Sequence, residues 1–364
     1  MKTKILRNIF LSVGVLFASA RLLSAGMNDG VLNFSNTPLV HPQPTFITFD
    51  VPGALEAVNG INPAGAITGW YSDTSGVFHG FLRAPDGTIT TFDPPGSTLT
   101  FVGAGGEPYG GPPINPAGVI TGYYFDASGG THGFLRSAKG TFTTFDAPGA
   151  VNGTSFLCCI TPAGAVAGIS FDANFVGHGF LRAPDGTFTS FDPPGSILTS
   201  PSGINPAGTI SGVYFDANFV FHGFLRAPDG TITTFDVPGA VNGTQASGIN
   251  AAGAITGFYV DANFLYHGFV RAPDGIITTF DPPGSNGFFT VPEGINPGGT
   301  ISGGYFDVNF LTHGFVRAPD GTIAPIDVPG SPGATGATVI NPAGVITGEY
   351  FDASGASHGF LRIP

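Results

Sequence analysis

Short apolar bursts separated by turns bearing glycine and proline run along this chain, and they fall into a repeating phrase. The phrase reads Ile-Asn-Pro-Ala-Gly, an apolar stretch ending in Tyr-Phe-Asp, a short turn, His-Gly-Phe-Leu-Arg, Ala-Pro-Asp-Gly, Thr-Ile-Thr-Thr-Phe-Asp and Pro-Gly. Its histidines are His79, His132, His178, His222, His267, His313 and His358, spaced 53, 46, 44, 45, 46 and 45 residues apart. A period of this size holding several strand-like runs predicts the blades of a β-propeller rather than a thin solenoid.

The fourth copy shows how a unit divides. Ser202–Asn205 predicts a short first strand, and Asn205-Pro206-Ala207-Gly208 a turn with proline second and glycine fourth. Thr209–Asp216 is the second strand, Phe221–Arg226 the third and Thr231–Asp236 the fourth, with Pro228-Asp229-Gly230 turning the chain between the last two. Helical periodicity is absent after the first 20 residues. The strands do not alternate strictly between apolar and polar residues. Thr209 to Phe215 carries large groups on both sides, as expected of a sheet packed between two neighbours. Gly, Ala and Ser dominate the first strands and suit a crowded ring centre.

The two ends complement each other. Thr45–Asp50 reads as a fourth strand without its unit, and the last copy stops at Phe360-Leu361-Arg362, a third strand without its partner. The expected fold is therefore all-β. It is a seven-bladed β-propeller over residues 45–364, with four antiparallel strands per blade, closed by the N-terminal strand pairing with the last blade. Residues 21–44 form a lead-in. The second copy carries an extra segment, Ser97–Pro113, which strand order puts beside the connections between blades.

Residues 1–20 resemble a secretory signal: Lys2, Lys4 and Arg7 precede an apolar run, and Ala18-Ser19-Ala20 offers a cleavage site. No later segment has transmembrane length. Cleavage would leave 9 basic against 24 acidic residues, a net charge of −15, which disfavours nucleic acid and anionic lipid as partners. The 58 glycines and 32 prolines occupy fixed places in the phrase, so they mark turns rather than disorder. Cys158 and Cys159 are the only cysteines. Secretion permits a vicinal disulfide between them, but adjacent cysteines make a strained bridge, so two small buried thiols are the preferred reading.

Each histidine follows an aspartate by six residues: Asp73/His79, Asp126/His132, Asp172/His178, Asp216/His222, Asp261/His267, Asp307/His313 and Asp352/His358. Seven equal sites argue for a structural pair closing a hairpin, with the aspartate that ends the fourth strand, such as Asp93 or Asp236, as a further orienting group. Seven arginines (Arg83, Arg136, Arg182, Arg226, Arg271, Arg317 and Arg362) recur likewise, and the Pro-Asp-Gly aspartates are their expected partners. No phosphate loop, zinc cluster, EF-hand or nucleophile elbow is present, so no catalytic residue, metal or cofactor is assigned. Asp29, Glu56, Glu107, Glu293 and Glu349 stand outside the repeat, with nothing to show that any two meet.

The informative asymmetry lies in the second hairpin. Copies three to six carry Phe175, Phe219, Phe264 and Phe310 at its tip, where copies one, two and seven carry Gly76, Gly129 and Gly355. Either each ring folds onto its neighbour and fills a gap, or the four make an exposed apolar arc, a candidate binding surface.

The strings Ile-Asn-Pro-Ala-Gly, Ile-Thr-Gly and His-Gly-Phe-Leu-Arg resemble the HAF-type bacterial extracellular repeat, with His-Gly-Phe in all seven copies where that family has His-Ala-Phe. The resemblance implies a secreted or surface β-repeat protein and supplies no active-site residues. The expected function is a secreted, surface-associated or periplasmic binding scaffold, monomeric, with an unidentified protein or carbohydrate ligand. The alternatives are a lectin-like carbohydrate-binding propeller and an extracellular polysaccharide-active enzyme.

Overall fold

The computed structural model describes residues 43–104, 110–151, 153–332 and 334–364, so the expected signal and most of the lead-in lie outside the described residues. Those described residues form 28 β-strands and no helix.

Each unit is an antiparallel meander. In the fourth, Leu198–Ile204, Ile210–Phe215, Phe221–Arg226 and Ile232–Phe235 pair in that order. Its turns are closed by short polar side chains. Asn205 Oδ1 accepts the Thr209 N–H at 3.0 Å, Asp216 Oδ1 accepts Asn218 and Val220 N–H at 2.8 and 2.9 Å, and Asp229 Oδ1 accepts Thr231 N–H at 2.9 Å. Gly208 sits at φ 86°, a left-handed conformation that glycine adopts without steric cost. The first strand starts earlier than its sequence suggests. Leu198–Pro201 joins the ladder, and a bulge between Pro201 and Gly203 absorbs the proline.

Successive units are joined through their interior. The third-strand rings Phe81, Phe134, Phe180, Phe224, Phe269, Phe315 and Phe360 are among the largest fully buried side chains. Most meet a fourth-strand ring of the preceding unit: Phe92–Phe134, Phe191–Phe224, Phe235–Phe269 and Phe280–Phe315 have centroids 6.3, 5.9, 6.1 and 5.9 Å apart. The first strands of neighbouring units touch through glycine. A Cβ on Gly203 would lie 3.3 Å from Ile249 N, and one on Gly294 3.3 Å from Ile340 N.

The leading strand Thr45–Phe49 pairs antiparallel with Ser357–Ile363, in register from Thr45↔Ile363 to Phe49↔Gly359. The resulting four-stranded sheet also holds Ile346–Phe351 and Thr335–Ile340. Phe49 then covers Phe81 of the first unit, centroids 6.2 Å apart. The last unit also bonds directly to the first. Thr338 Oγ1 donates to the Val58 carbonyl at 3.0 Å, Asn341 Nδ2 to the Asn62 carbonyl at 3.3 Å and Ser357 Oγ to the Leu55 carbonyl at 2.6 Å.

The glycine that follows each repeated histidine has a steric cause. A Cβ on Gly80, Gly133, Gly223 or Gly359 would fall 2.1–2.5 Å from an atom of Phe92, Phe145, Phe235 or Phe49, respectively. The fourth-strand ring lies flat across the glycine, where an alanine methyl would displace it.

The extra segment of the second unit differs from expectation. Ser97–Val102 is that unit's first strand, and the chain beyond it does not stay beside the connections. Gly111 N donates to the Ser202 carbonyl at 2.6 Å, and the Pro112 carbonyl accepts the Ile160 N–H at 3.3 Å. The segment thus crosses the first strands of units three and four. Bare glycines permit this approach, since a Cβ on Gly111 would be 3.0 Å from Cys159 Cβ.

Phe49→Ala removes the ring that spans Gly359 and covers Phe81. It is expected to cost about 3 kcal/mol, read as a lower urea midpoint, and an unchanged midpoint would contradict the role assigned to the leading strand.

Candidate functional site

One face carries the second-hairpin tips and, just below them, a repeated histidine clamp. Each imidazole lies between two carboxylates of its own sheet. His79 Nδ1 is 2.7 Å from Asp93 and its Nε2 3.6 Å from Asp73. The same arrangement joins His132 to Asp146 and Asp126, His178 to Asp192 and Asp172, His222 to Asp236 and Asp216, His267 to Asp281 and Asp261, and His313 to Asp327 and Asp307. In the last unit His358 reaches Asp352 at 3.3 Å and Asp50, from the leading strand, at 2.5 Å. The closer partner is always the aspartate ending the fourth strand. The aspartate six residues before the histidine turns its Oδ1 to the hairpin N–H groups and offers the imidazole only Oδ2.

Other groups fix the clamp. Tyr71, Tyr124, Tyr214, Tyr259, Tyr305 and Tyr350 lie against the imidazoles at 5.1–5.3 Å between centroids. Thr100 and Thr199, each from the following unit, donate to Asp93 and Asp192 at 2.6 Å. The hydrogen bond with Asp50 raises the pKa of His358 against the opposing effect of burial. Burial lowers that of His132, but hydrogen bonds with Asp146 and Asp126 outweigh it and the net shift is upward. Asp126 and Asp352 are held well below the ordinary carboxylate range, chiefly by the Ser128 and Ser354 hydroxyls and hairpin N–H groups.

The arginines are held differently from expectation. No ion pair joins them to the Pro-Asp-Gly aspartates among the described residues. Each such aspartate instead accepts a turn N–H, as Asp86 does from Thr88 at 2.9 Å. Six of the seven guanidiniums lie over a phenylalanine from the strand that precedes their unit: Arg83 over Phe49, Arg136 over Phe92, Arg182 over Phe145, Arg226 over Phe191, Arg271 over Phe235 and Arg317 over Phe280, at 4.8–5.3 Å. This also accounts for Arg136, whose turn bears Lys139 instead of aspartate.

Phe175, Phe219, Phe264 and Phe310 project from their hairpins and are 46–66% exposed, so they do not fold down to fill gaps. Their backbones sit at φ 61–63°, the only non-glycine residues with positive φ among those described. Gly76, Gly129 and Gly355 take the same turn at φ 78–85°. Phe288 stands beside Phe310 with centroids 6.0 Å apart, and Val241 and Val308 add further exposed apolar surface. Each tip phenylalanine follows an exposed asparagine: Asn174, Asn218, Asn263 or Asn309.

Two further features escaped the sequence reading. The asparagines of the Ile-Asn-Pro-Ala-Gly turns link unit to unit. Asn62 Nδ2 donates to the Asn115 carbonyl at 3.4 Å, Asn115 to Thr161 at 3.3 Å, Asn205 to Asn250 at 3.4 Å and Asn250 to Asn296 at 3.2 Å. Recurrence of the residue at the same place in the phrase is the signal in the sequence. Cys158 and Cys159 form a vicinal disulfide, correcting the reading of two thiols; both are buried beside Ala167, Phe191 and Phe224, with glycines of the extra segment against them. Of the acids outside the repeat, Asp29 and Glu107 fall outside the described residues, and Glu56 lies on the strand Ala54–Ile61. Glu293 and Glu349 come close enough for charge repulsion. No group of three or more His, Cys, Asp or Glu suited to a metal occurs among the described residues, and no helix there is long and apolar enough to cross a membrane.

The clamp at His358 makes stability depend on pH. Because the folded pKa is raised above 6.5, its contribution is fully present below about pH 6.5 and is lost as pH rises through the folded value. Asp50→Asn is expected to flatten the fall in melting temperature above neutrality, and thermal scans across that range check it.

No family model matches the chain, and no curated protein matches it in sequence. Solved structures do resemble it. The β-propeller domain of the Trilobed protease from Pyrococcus furiosus aligns with TM-score 0.59 and 10% identity over 84% of this chain and 94% of that one. Virginiamycin B lyase from Staphylococcus aureus aligns with TM-score 0.55 and 13% identity over 88% of this chain and 100% of that one. Puromycin hydrolase aligns with TM-score 0.56 and 11% identity over 87% of this chain and 51% of that one. Identities this low carry the fold alone: the chain is an all-β protein with a propeller-like architecture.

Proposed function

We propose that the seven units close into a seven-bladed propeller, and that this ring is a secreted or surface-associated binding scaffold of the HAF-repeat kind whose ligand face is the phenylalanine arc. The pairing of Thr45–Phe49 with Ser357–Ile363 and the bonds from the seventh unit to the first support closure.

The observation that carries the binding reading is the backbone of the four tips. A left-handed conformation costs a side-chain-bearing residue roughly 1–2 kcal/mol, and three sister units avoid that cost with glycine. Four consecutive units bear the strain while leaving the rings in water. Strain of this kind at rings left largely exposed fits residues kept for contact with something else. Repeated apolar knobs on one rigid face suit multivalent attachment, and the scaffold acts by binding rather than catalysis. A lectin-like ligand is the second reading. It is favoured by the exposed asparagine beside each ring, since an aromatic face with an adjacent amide matches the apolar and hydroxyl faces of a sugar.

The test compares the mature chain with a variant in which Phe175, Phe219, Phe264 and Phe310 are all replaced by glycine. Binding to envelope fractions and to a glycan array is expected to fall at least tenfold, while the melting temperature holds or rises because strain is relieved. Unchanged binding by the glycine variant would refute the arc as the ligand face.

A further inference from the structure

The repeat breaks chemically at one place besides the tips. The fourth residue of the second-strand run is Trp70, Tyr123, Ile169, Val213 or Phe258 in units one to five, but Gly304 in unit six and Glu349 in unit seven. Glu349 faces Gly336 across its ladder. A Cβ on Gly304 would meet only the His313 carbonyl, at 3.8 Å, and one on Gly336 only the Glu349 carbonyl, at 3.9 Å. Both positions therefore border space that a side chain would otherwise fill.

Glu293 stands at the bulge in the sixth unit's first strand, between Pro292 and Gly294, where that glycine packs against Ile340 of the seventh unit. It is 3% exposed, and its Oε2 has no hydrogen-bond partner. Burial pushes its carboxyl well above the ordinary range, and repulsion from Glu349 adds to this. The equivalent bulge residues in units four and five are the small Ser202 and Ser247, so the fold does not require an acid here. Two buried hydroxyls nearby in the chain fold, Ser247 Oγ before the glycine that touches the Glu293 carbonyl and Ser302 Oγ opposite Gly294, also lack partners.

A buried, unpartnered carboxyl oxygen next to a second carboxylate is costly, and a cation placed between them relieves both the desolvation and the repulsion. We propose that Glu293 and Glu349 hold a small divalent cation of the calcium class at the inner edge of units six and seven. The donors are hard oxygens, which select calcium or magnesium over thiolate-seeking metals, and the only two sulfurs of cysteine are bonded to each other. The free space corresponds to one missing side chain, which suits an ion with its remaining waters better than an organic cation. Glu349 is only half-buried and supplies the route in.

The experiment uses the mature chain, stripped with chelator and then given calcium or magnesium, alongside Glu293→Gln and Glu349→Gln. Equilibrium dialysis is expected to find one calcium per chain, and a hundredfold excess over Kd to raise the melting temperature by roughly 5 °C. Both variants should lose the bound ion and the shift. In chelator, Glu293→Gln should melt at or above the wild type, because it removes a buried acid without changing its shape. Absence of any calcium or magnesium binding by the wild type would overturn the site, as would retention of the ion by both variants. Loss of the ion in Glu349→Gln alone would sustain it even if Glu293→Gln failed to fold. The Phe→Gly variant should bind calcium normally, which separates this site from the ligand face.

Discussion

The third-strand phenylalanine of each unit cannot be buried by the unit that makes it. It is covered from the neighbouring sheet, by Phe92 over Phe134, Phe191 over Phe224 or Phe235 over Phe269. Burying an aromatic side chain is worth a few kcal/mol, so one four-stranded sheet alone would leave much of that gain unrealised. Stability therefore belongs to the junctions between units, which places two demands on the sequence. Glycine must stand where the covering ring crosses the neighbouring strand, and a ring must be supplied for the first unit's Phe81. The leading strand meets the second demand with Phe49.

Around that apolar junction the polar residues do local work. Asparagine closes a turn with its carbonyl oxygen and reaches the next unit with its amide. Aspartate closes the hairpin with one oxygen and faces histidine with the other. The arginine rests on the same phenylalanine that covers the core, its guanidinium plane packed against the ring. Seven copies of such devices build a frame, and chemistry particular to this protein has to be sought where the copies differ. Two departures satisfy that condition. One is the strained aromatic tips of units three to six, facing outward. The other is the pair of glutamates in units six and seven, one buried and one half-buried.

Much of this frame is legible from residue order. Pro-Asp-Gly and Asn-Pro-Ala-Gly set the turns, and the Asp/His spacing of six places both across one hairpin. The orphan strands at the two ends call for each other because each has half of an interrupted ladder. The phenylalanine-for-glycine exchange at the tips is visible in the same way, as a difference between aligned copies. These features are local or periodic, and local conformational preference is carried by the residues themselves.

Contacts between units are another matter. Nothing in residue order says that arginine would choose a ring over the nearby aspartate, that the second unit's extra segment would cross the first strands of units three and four, or that Cys158 and Cys159 would be joined. Each depends on which groups from distant parts of the chain arrive side by side, and at what depth from water. The outward direction of the four phenylalanines and the meeting of Glu293 with Glu349 were likewise decided by packing. Residue order alone determined the repeated strand-and-turn plan and the complementary ends. Tertiary structure decided the partners, because desolvation and close approach act between residues that sequence separation does not relate.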